Sequence, residues 1–452
     1  LTKSLKNLWE RFLFQDRGIL PTNRLLLIYV IFSSLLIMLS VLGLSWPVII
    51  SFNLLFLLGT LFDLLFSPKR KQIHAVRNIQ EEMERGIRYQ VKIQFHNESD
   101  HSYRFQLIDG IPQTFQKRFP IKGMVEKGSS TTVTYETFAP VRGKYHLETI
   151  YVRYSSLLGL WEKQTFIQQQ DEVKVIPDLT DTKRYLENAQ KFLLYEGTKI
   201  RKQKSGAGEF SRIRNYVVGD DPRKINWRQT AKLQEVMANE FEPEHGKYIT
   251  ILIDCGRMMG AELKKGNRLE KALEASLTVA AAALKNDDYV SVLAFSKDVK
   301  VYVPPAKGMD QLQKILQAVY DLEVDSIESN FSAVLNYLQS IQKKRSLMLM
   351  FSDVHTFLHE ESTLLYLKRL RQRHLFLMIG VEDQELLTTT RLNSKTVQSA
   401  MIKSIAQQQV QYKKREKVKW EAQGLIMIEA KEDRLASEAV SRYIHIMNQG
   451  LL

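Results

Sequence analysis

The stretch ILIDCGRMMG, residues 251–260, decides how the larger part of this chain is read. Ile251-Leu252-Ile253 is a short apolar run with no alternation, the pattern of a strand buried on both faces of a parallel sheet. It delivers Asp254 to the strand's carboxyl end, where open α/β sheets bind their ligands. Similar runs follow at 289–295, 299–304, 347–353, 374–380 and 425–430. Between them lie amphipathic stretches: Leu269, Leu273 and Leu277 are four apart within 268–285, and Phe331, Val334, Leu335 and Leu338 share one face of 329–342. This alternation predicts a doubly wound α/β domain over 248–452, with Asp254 and Asp353 both at carboxyl strand ends.

Upstream the signals differ. Leu25–Leu44 and Val48–Phe62 carry no charged residue and are each about long enough to cross a bilayer. The connector Ser45-Trp46-Pro47 is so short that they form a hairpin, predicting two transmembrane helices over 25–66. Lys3, Lys6, Arg11, Arg17 and Arg24 precede the pair, Lys69, Arg70 and Lys71 follow it, and the tip has neither Lys nor Arg. By the positive-inside rule residues 1–24 and everything after the hairpin are cytoplasmic, with Trp46 at the outer interface. A cleaved signal peptide fits less well, because the first run is too long and no small-residue cleavage pattern follows it. The single cysteine, Cys255, suits a reducing compartment, and the net charge of +14 suits an anionic inner leaflet without invoking nucleic acid.

Residues 73–176 alternate with period two, as in Val91/Ile93/Phe95, Tyr103/Phe105/Leu107 and Ile150/Val152/Tyr154, and predict an antiparallel β-sandwich. Residues 178–247 form a charged segment in which Lys199–Lys232 holds ten basic residues against three acidic. Gly219-Asp220-Asp221-Pro222 reads as a turn, with Arg214, Arg223 and Arg228 in reach of its two carboxylates. One reading has these charges clamp the segment onto the α/β domain while Trp227 plugs into it. The other makes them a surface for a partner, since Arg and aromatic residues are favoured interface anchors. The basic run 412–420 reads as a solvated helix face.

GAGEFSRIRNYVVGDDPRKINWRQTAK, residues 206–232, resembles the signature of the bacterial domain of unknown function 58 family. The matching residues are Glu209, Phe210, Arg214, Tyr216, Gly219, Asp220, Arg223, Ile225 and Trp227; Asn226 replaces the usual Asp, and Lys232 stands where Arg is common. The domain after it resembles a von Willebrand factor type A domain. The resemblance implies an adhesion-type metal site built from D-x-S-x-S, a later Thr and a later Asp. Those positions fall on Asp254, Gly256, Met258, Ser329 and Asp353. Gly256 offers no ligand and Met258 a thioether ill-suited to hard Mg²⁺, so the preferred reading has Asp254 and Asp353 hydrogen-bonded to loop amides. The alternative is a degenerate Mg²⁺ site of Asp254, Ser329, Asp353 and water.

The resemblance also implies a MoxR-type AAA+ ATPase as partner. The chain carries no phosphate loop, H-E-x-x-H or G-x-S-x-G motif. Cys255 with His355 is read as packing rather than a nucleophile and base. The expectation is therefore a membrane-anchored, cytoplasm-facing interaction or adaptor protein requiring no cofactor and binding no nucleic acid, active in envelope assembly or stress. The alternative is a metal-dependent enzyme at the inner membrane face using Asp254 and Asp353.

Overall fold

The computed structural model describes residues 18–41, 43, 45–65, 67–116, 119–156, 158–189, 191, 209–242, 246–359, 361–393 and 396–452. The chain divides into two units, residues 1–176 and 177–452.

The first unit begins with a short strand, β1 (Ile19–Pro21), followed by helices α1 (Asn23–Val41) and α2 (Trp46–Leu65). At 19 and 20 residues they are roughly 28 and 30 Å long, enough to cross a hydrocarbon core. Both are long and apolar enough to span a membrane. Leu27, Val30, Ile31 and Leu55 stand exposed on their surface. The helices meet through the Phe32 and Phe56 rings, 4.7 Å apart, and through Ser33 Oγ, which donates to Asn53 Oδ1 at 2.9 Å.

Eight strands follow: β2 (Ile73–Asn78), β3 (Glu82–Glu84), β4 (Tyr89–Asn97), β5 (Tyr103–Asp109), β6 (Ile121–Val125), β7 (Ser130–Thr137), β8 (Gly143–Ser155) and β9 (Trp161–Ile176). One sheet runs β1-β9-β8-β5-β6, with β3 also beside β9, and the other runs β2-β4-β7. Val91, Ile93 and Phe95 of β4 and Tyr103, Phe105 and Leu107 of β5 are all buried, with the Phe95 and Phe105 rings 4.5 Å apart. Period-two patterning thus makes the core. β1 differs from the sequence reading, which left residues 1–24 as a separate segment: Ile19–Pro21 pair antiparallel with Trp161–Lys163. Three residues carry no readable period, and the pairing is set by where α1 starts.

The same core holds a polar network. Arg77 Nε lies 3.1 and 3.0 Å from the two Asp109 carboxylate oxygens, Arg77 Nη1 lies 2.8 Å from Asp171 Oδ2, and Tyr135 donates its hydroxyl to Asp109. The Arg77 and Asp109 side chains are wholly buried. Burial and the neighbouring carboxylate push the Tyr135 phenol far up, so it remains a donor.

The second unit opens with α3 (Thr180–Glu187), then β10 (Glu209–Asn215), α4 (Trp227–Leu233) and β11 (Met237–Glu242). β10 and β11 pair antiparallel, Ile213 opposite Asn239, so the charged segment is a ribbon with a short helix between its strands. The α/β part contains β12 (Tyr248–Asp254), a small β13–β14 ribbon (Glu262–Leu263, Gly266–Asn267), α5 (Arg268–Lys285), β15 (Tyr289–Phe295), β16 (Val299–Ala306), α6 (Met309–Val319) and α7 (Phe331–Ile341). After these come β17 (Ser346–Phe351), α8 (Val354–His359), α9 (Glu361–Arg371), β18 (Leu375–Val381), α10 (Gln384–Thr390), α11 (Val397–Ala422), β19 (Ile426–Ala430) and α12 (Leu435–Asn448).

Its sheet runs β16-β15-β12-β17-β18-β19, parallel throughout except for β16. Strand order reverses between β12 and β17, a topological switch point. α7, α8, α9 and α11 cover one face, with Leu252, Met348, Met350, Met378 and Trp420 in their shared core. α5 packs against β12 and β15, and α12 against α5. Asn267 caps α5 by accepting from Glu270 N at 2.9 Å, and the buried alanines 280–283 permit close packing. The 412–420 run lies on α11, where Lys413 pairs with Glu429 and Lys419 with Glu416, while Trp420 is buried.

Candidate functional site

β12 and β17 end side by side at the switch point and bring Asp254 and Ser352-Asp353 to one edge. Asp254 is almost fully buried. Its Oδ1 accepts from Gly256 N at 2.8 Å and from the Ser329 hydroxyl; its Oδ2 accepts from the Ser352 hydroxyl. Burial pushes this carboxyl above its ordinary range; the three donors oppose that, and the Asp353 charge adds to it. Asp353 accepts from Arg268 Nη1 at 2.6 Å, and from Thr356 N and Oγ1 at 2.9 and 2.8 Å. Arg268 Nη2 lies 3.4 Å from Asp383 Oδ2, and among the described residues Arg268 Nε has no partner.

The edge thus unites Asp254, Ser329 and, through its own donors, Asp353. Asp254 takes a loop amide, Gly256 N, whereas the amide on Asp353, Thr356 N, belongs to the first turn of α8 and not to a loop. Gly256 has an extended backbone, φ −71° and ψ 171°, so its lack of a side chain answers a need for space rather than for a left-handed turn. A Cβ there would stand 2.0 Å from Ser329 Oγ. Met258 is 38% exposed and takes no part in the cluster.

These residues do not fit a divalent ion. Both Asp254 oxygens already accept hydroxyl donors, the Asp353 charge is met by a guanidinium, and the space that a side chain at residue 256 would need is filled by Ser329. Among the described residues no three His, Cys, Asp or Glu side chains converge. Cys255 is fully buried.

Arg268, Ser352, Thr356 and Asp383 were missed from sequence. One signal existed: a cation in the first turn of a helix opposes the macrodipole, so Arg268 required a carboxylate partner from elsewhere.

In the ribbon, Arg214 grips Asp220 with two bonds of 2.7 and 2.8 Å. Asp220 also accepts from Val217 N at 3.0 Å, and Tyr216 donates its hydroxyl to Asp220 O at 3.0 Å. The guanidinium and the amide hold the Asp220 carboxyl below its usual range. Gly219 adopts φ +110°, which favours glycine. Asp221 accepts from Arg223 N at 3.0 Å, and Asn226 accepts from Gln229 N at 3.1 Å, capping α4. Of the three arginines in reach of the turn, Arg214 makes the side-chain pair. The side chains of Glu209 and Phe210 lie outside the described residues.

Trp227 corrects the plug reading: it is 70% exposed, at the start of α4. The helix it starts is tied back to β11: Asn226 N donates to Met237 O at 2.8 Å, Met237 N donates to Thr230 Oγ1 at 3.0 Å, and Ile225 bridges Ala238. Val218 at the turn is 97% exposed, and Arg223 and Arg228 are exposed as well.

An apolar helix pair, an antiparallel two-sheet region and a C-terminal α/β region with a charged ribbon at its entrance define a multidomain protein. Residues 212–416, from within β10 to within α11, match the family described as "Protein of unknown function DUF58". The "Uncharacterized protein YeaD" of Bacillus subtilis (strain 168) is 24% identical over 189 residues, 42% of this chain and 45% of YeaD, so the chain spans less than half the length of that relative. Among solved structures, the conserved hypothetical protein BatB from Bacteroides thetaiotaomicron aligns with 45% of this chain and 100% of its own, at 15% identity and TM-score 0.31. The PapD-like domain 7 of human CEP192 aligns with 23% of this chain and 85% of its own, at 15% identity and TM-score 0.18.

Proposed function

We propose that this chain is a membrane-anchored member of the domain of unknown function 58 family, with its bulk in the cytoplasm. In this reading the α/β unit is a von Willebrand factor type A-like domain that works as an adaptor for a MoxR-type AAA+ ATPase in envelope assembly or stress. The observation that carries the interaction reading is the ribbon's division of labour. Arg214 and Asp220 are consumed in holding the turn, whereas Trp227, Val218, Arg223 and Arg228 are left on the surface. Exposed aromatic, aliphatic and arginine side chains on a rigid support are what a partner's pocket engages. α11 adds exposed Val397, Met401 and Ile405 at four-residue spacing.

The alternative, a metal-dependent enzyme using Asp254 and Asp353, is disfavoured by the three protein donors that each carboxylate already accepts. Purification of the full chain from detergent tests the adaptor reading. An AAA+ ATPase co-purifies with the wild type and is lost from a Trp227→Ala/Arg228→Glu variant that stays folded. Recovery of no ATPase, or equal recovery with both chains, sinks it.

A further inference from the structure

Both ends of the helix pair are tied to the larger antiparallel sheet. Thr22, just before α1, donates its hydroxyl to Gly159 O and Leu160 O at 2.7 and 3.0 Å and its amide to Leu160 O at 3.0 Å. Near the end of α2, Asp63 accepts from the Ser156 hydroxyl and from Leu160 N at 2.9 Å, and Trp161 Nε1 donates to Thr60 O at 3.1 Å. Lys163 Nζ reaches Leu64 O in the last turn of α2 and Ser67 O and Pro68 O beyond it, at 3.3, 3.2 and 3.3 Å. The sheet is therefore fixed at the base of the apolar helices, at the level where hydrocarbon gives way to headgroups.

A groove of about 670 Å³ lies at that base. Arg24 of α1, Arg104 of β5, Lys122 of β6 and Arg153 of β8 line it, against one carboxylate, Glu162. Lys122 and Arg153 both stand opposite Gln106, from either side, so the strand register puts them on one sheet face about 10 Å apart. Among the described residues none of the four cations forms an ion pair. Arg153 is steadied by a neutral group: the Gln164 side-chain oxygen, turned as its neighbours require, accepts from Nε and Nη2 at 2.8 and 3.2 Å. Four like charges around one concavity repel one another unless an anion enters, and planar guanidinium groups match phosphate oxygens in pairs. The volume suits a small polar ligand.

The geometry points to a binding site for the phosphodiester headgroup of an anionic phospholipid, held by Arg24, Arg104, Lys122 and Arg153 while the acyl chains lie along α1. This rests on reading α1 and α2 as membrane spans. Leu26 and Leu27, the second and third residues after Arg24 in α1, are exposed and offer the apolar continuation such a lipid needs.

The test uses the full chain in a neutral detergent, with native mass spectrometry counting retained phosphatidylglycerol or phosphatidylcholine of identical acyl chains. Three proteins are compared: wild type, Arg104→Gln/Lys122→Gln/Arg153→Gln, and a charge-matched control, Lys92→Gln/Lys144→Gln/Lys174→Gln, altered at exposed positions away from the groove. Arg24 is left in place because it flanks a span. The wild type and the control retain phosphatidylglycerol in preference to phosphatidylcholine, and the groove variant binds it on the order of a hundredfold more weakly. Equal retention of the two lipids, or an unchanged affinity in the groove variant, overturns the site. Displacement of phosphatidylglycerol by millimolar inorganic phosphate overturns the lipid as its occupant in favour of a free anion. Alkaline carbonate extraction separates the two ideas: release of the wild type from membranes refutes the spans, whereas retention with no lipid preference refutes the headgroup site alone.

Discussion

Returning a hydroxyl to residue 256 should damage the sheet edge instead of rebuilding a metal site. In Gly256→Ser the new Cβ would fall 2.0 Å from Ser329 Oγ, far inside contact distance, with Ser329 N at 3.1 Å and Asp254 Oδ1 at 3.2 Å behind it. Something must shift, and the displaced group is the hydroxyl that donates to Asp254. Overpacking of a tight interior costs about 1–3 kcal/mol, and a lost hydrogen bond to a carboxylate about 1.5–3 kcal/mol. Taking about 3 kcal/mol as the central value, amide exchange in β12 and β17 should quicken roughly a hundredfold wherever it follows unfolding of this unit. The assay is native-state hydrogen exchange on the full chain in detergent, read on peptides covering 248–259 and 346–356. Gly256→Ser/Ser329→Gly makes room for the new side chain and should recover much of the loss, with a coupling of about 0.5–3 kcal/mol. Unchanged exchange in Gly256→Ser, or a double variant as damaged as the sum of the singles, refutes the reasoning. Slower exchange on adding Mg²⁺ to Gly256→Ser would restore the metal reading.

Two further outcomes are expected. Asp109→Ala leaves Arg77 buried without its main partner and should destabilise the antiparallel unit by about 3–5 kcal/mol, against about 1–3 kcal/mol for Tyr135→Phe; exchange on peptides from β4 and β5 reads both, and equal effects would contradict the network. His374 is buried beside Ser346, and desolvation lowers its pKa below the ordinary 6.5. The unfolded chain therefore takes up the proton first, so stability is lost as pH falls through about 6.5 and the loss ends below the folded pKa. From about pH 7.5 to 5.5 the α/β unit of the wild type should lose more exchange protection than that of His374→Gln, and parallel pH profiles would refute this.

What could be read from the sequence was what local pattern dictates. Ile251–Ile253 and Val292–Phe295 are apolar without alternation because both sheet faces are covered, and that is visible letter by letter. The 268–285 helix shows its own four-residue spacing. Asp254, Ser329 and Asp353 could be named through a resemblance, and they do meet at one edge. The contacts that define their chemistry are long-range: Arg268 and Asp353 are 85 residues apart, and Ser352 and Asp254 are 98 apart. No periodicity carries such a pairing. The ribbon was hidden for another reason. β10 and β11 are mostly polar, since one face is solvated and their alternation is broken by a bulge between Phe210 and Arg212. β1 is too short to carry a period, and the groove at the helix base draws its cations from four separate elements.

The contacts at this edge depend on one another. Gly256 leaves the space that the Ser329 hydroxyl occupies, and that hydroxyl and the one of Ser352 donate to the two oxygens of Asp254. Arg268 supplies Asp353 with the positive charge an ion would have brought, already attached to the chain and backed by Asp383. Met258 and the exposed Arg257–Glu328 pair, whose Nη2 and Oε1 are 2.8 Å apart, reach solvent beside this edge. A side chain at residue 256 therefore meets Ser329, and it leaves the Arg268–Asp353 pair untouched.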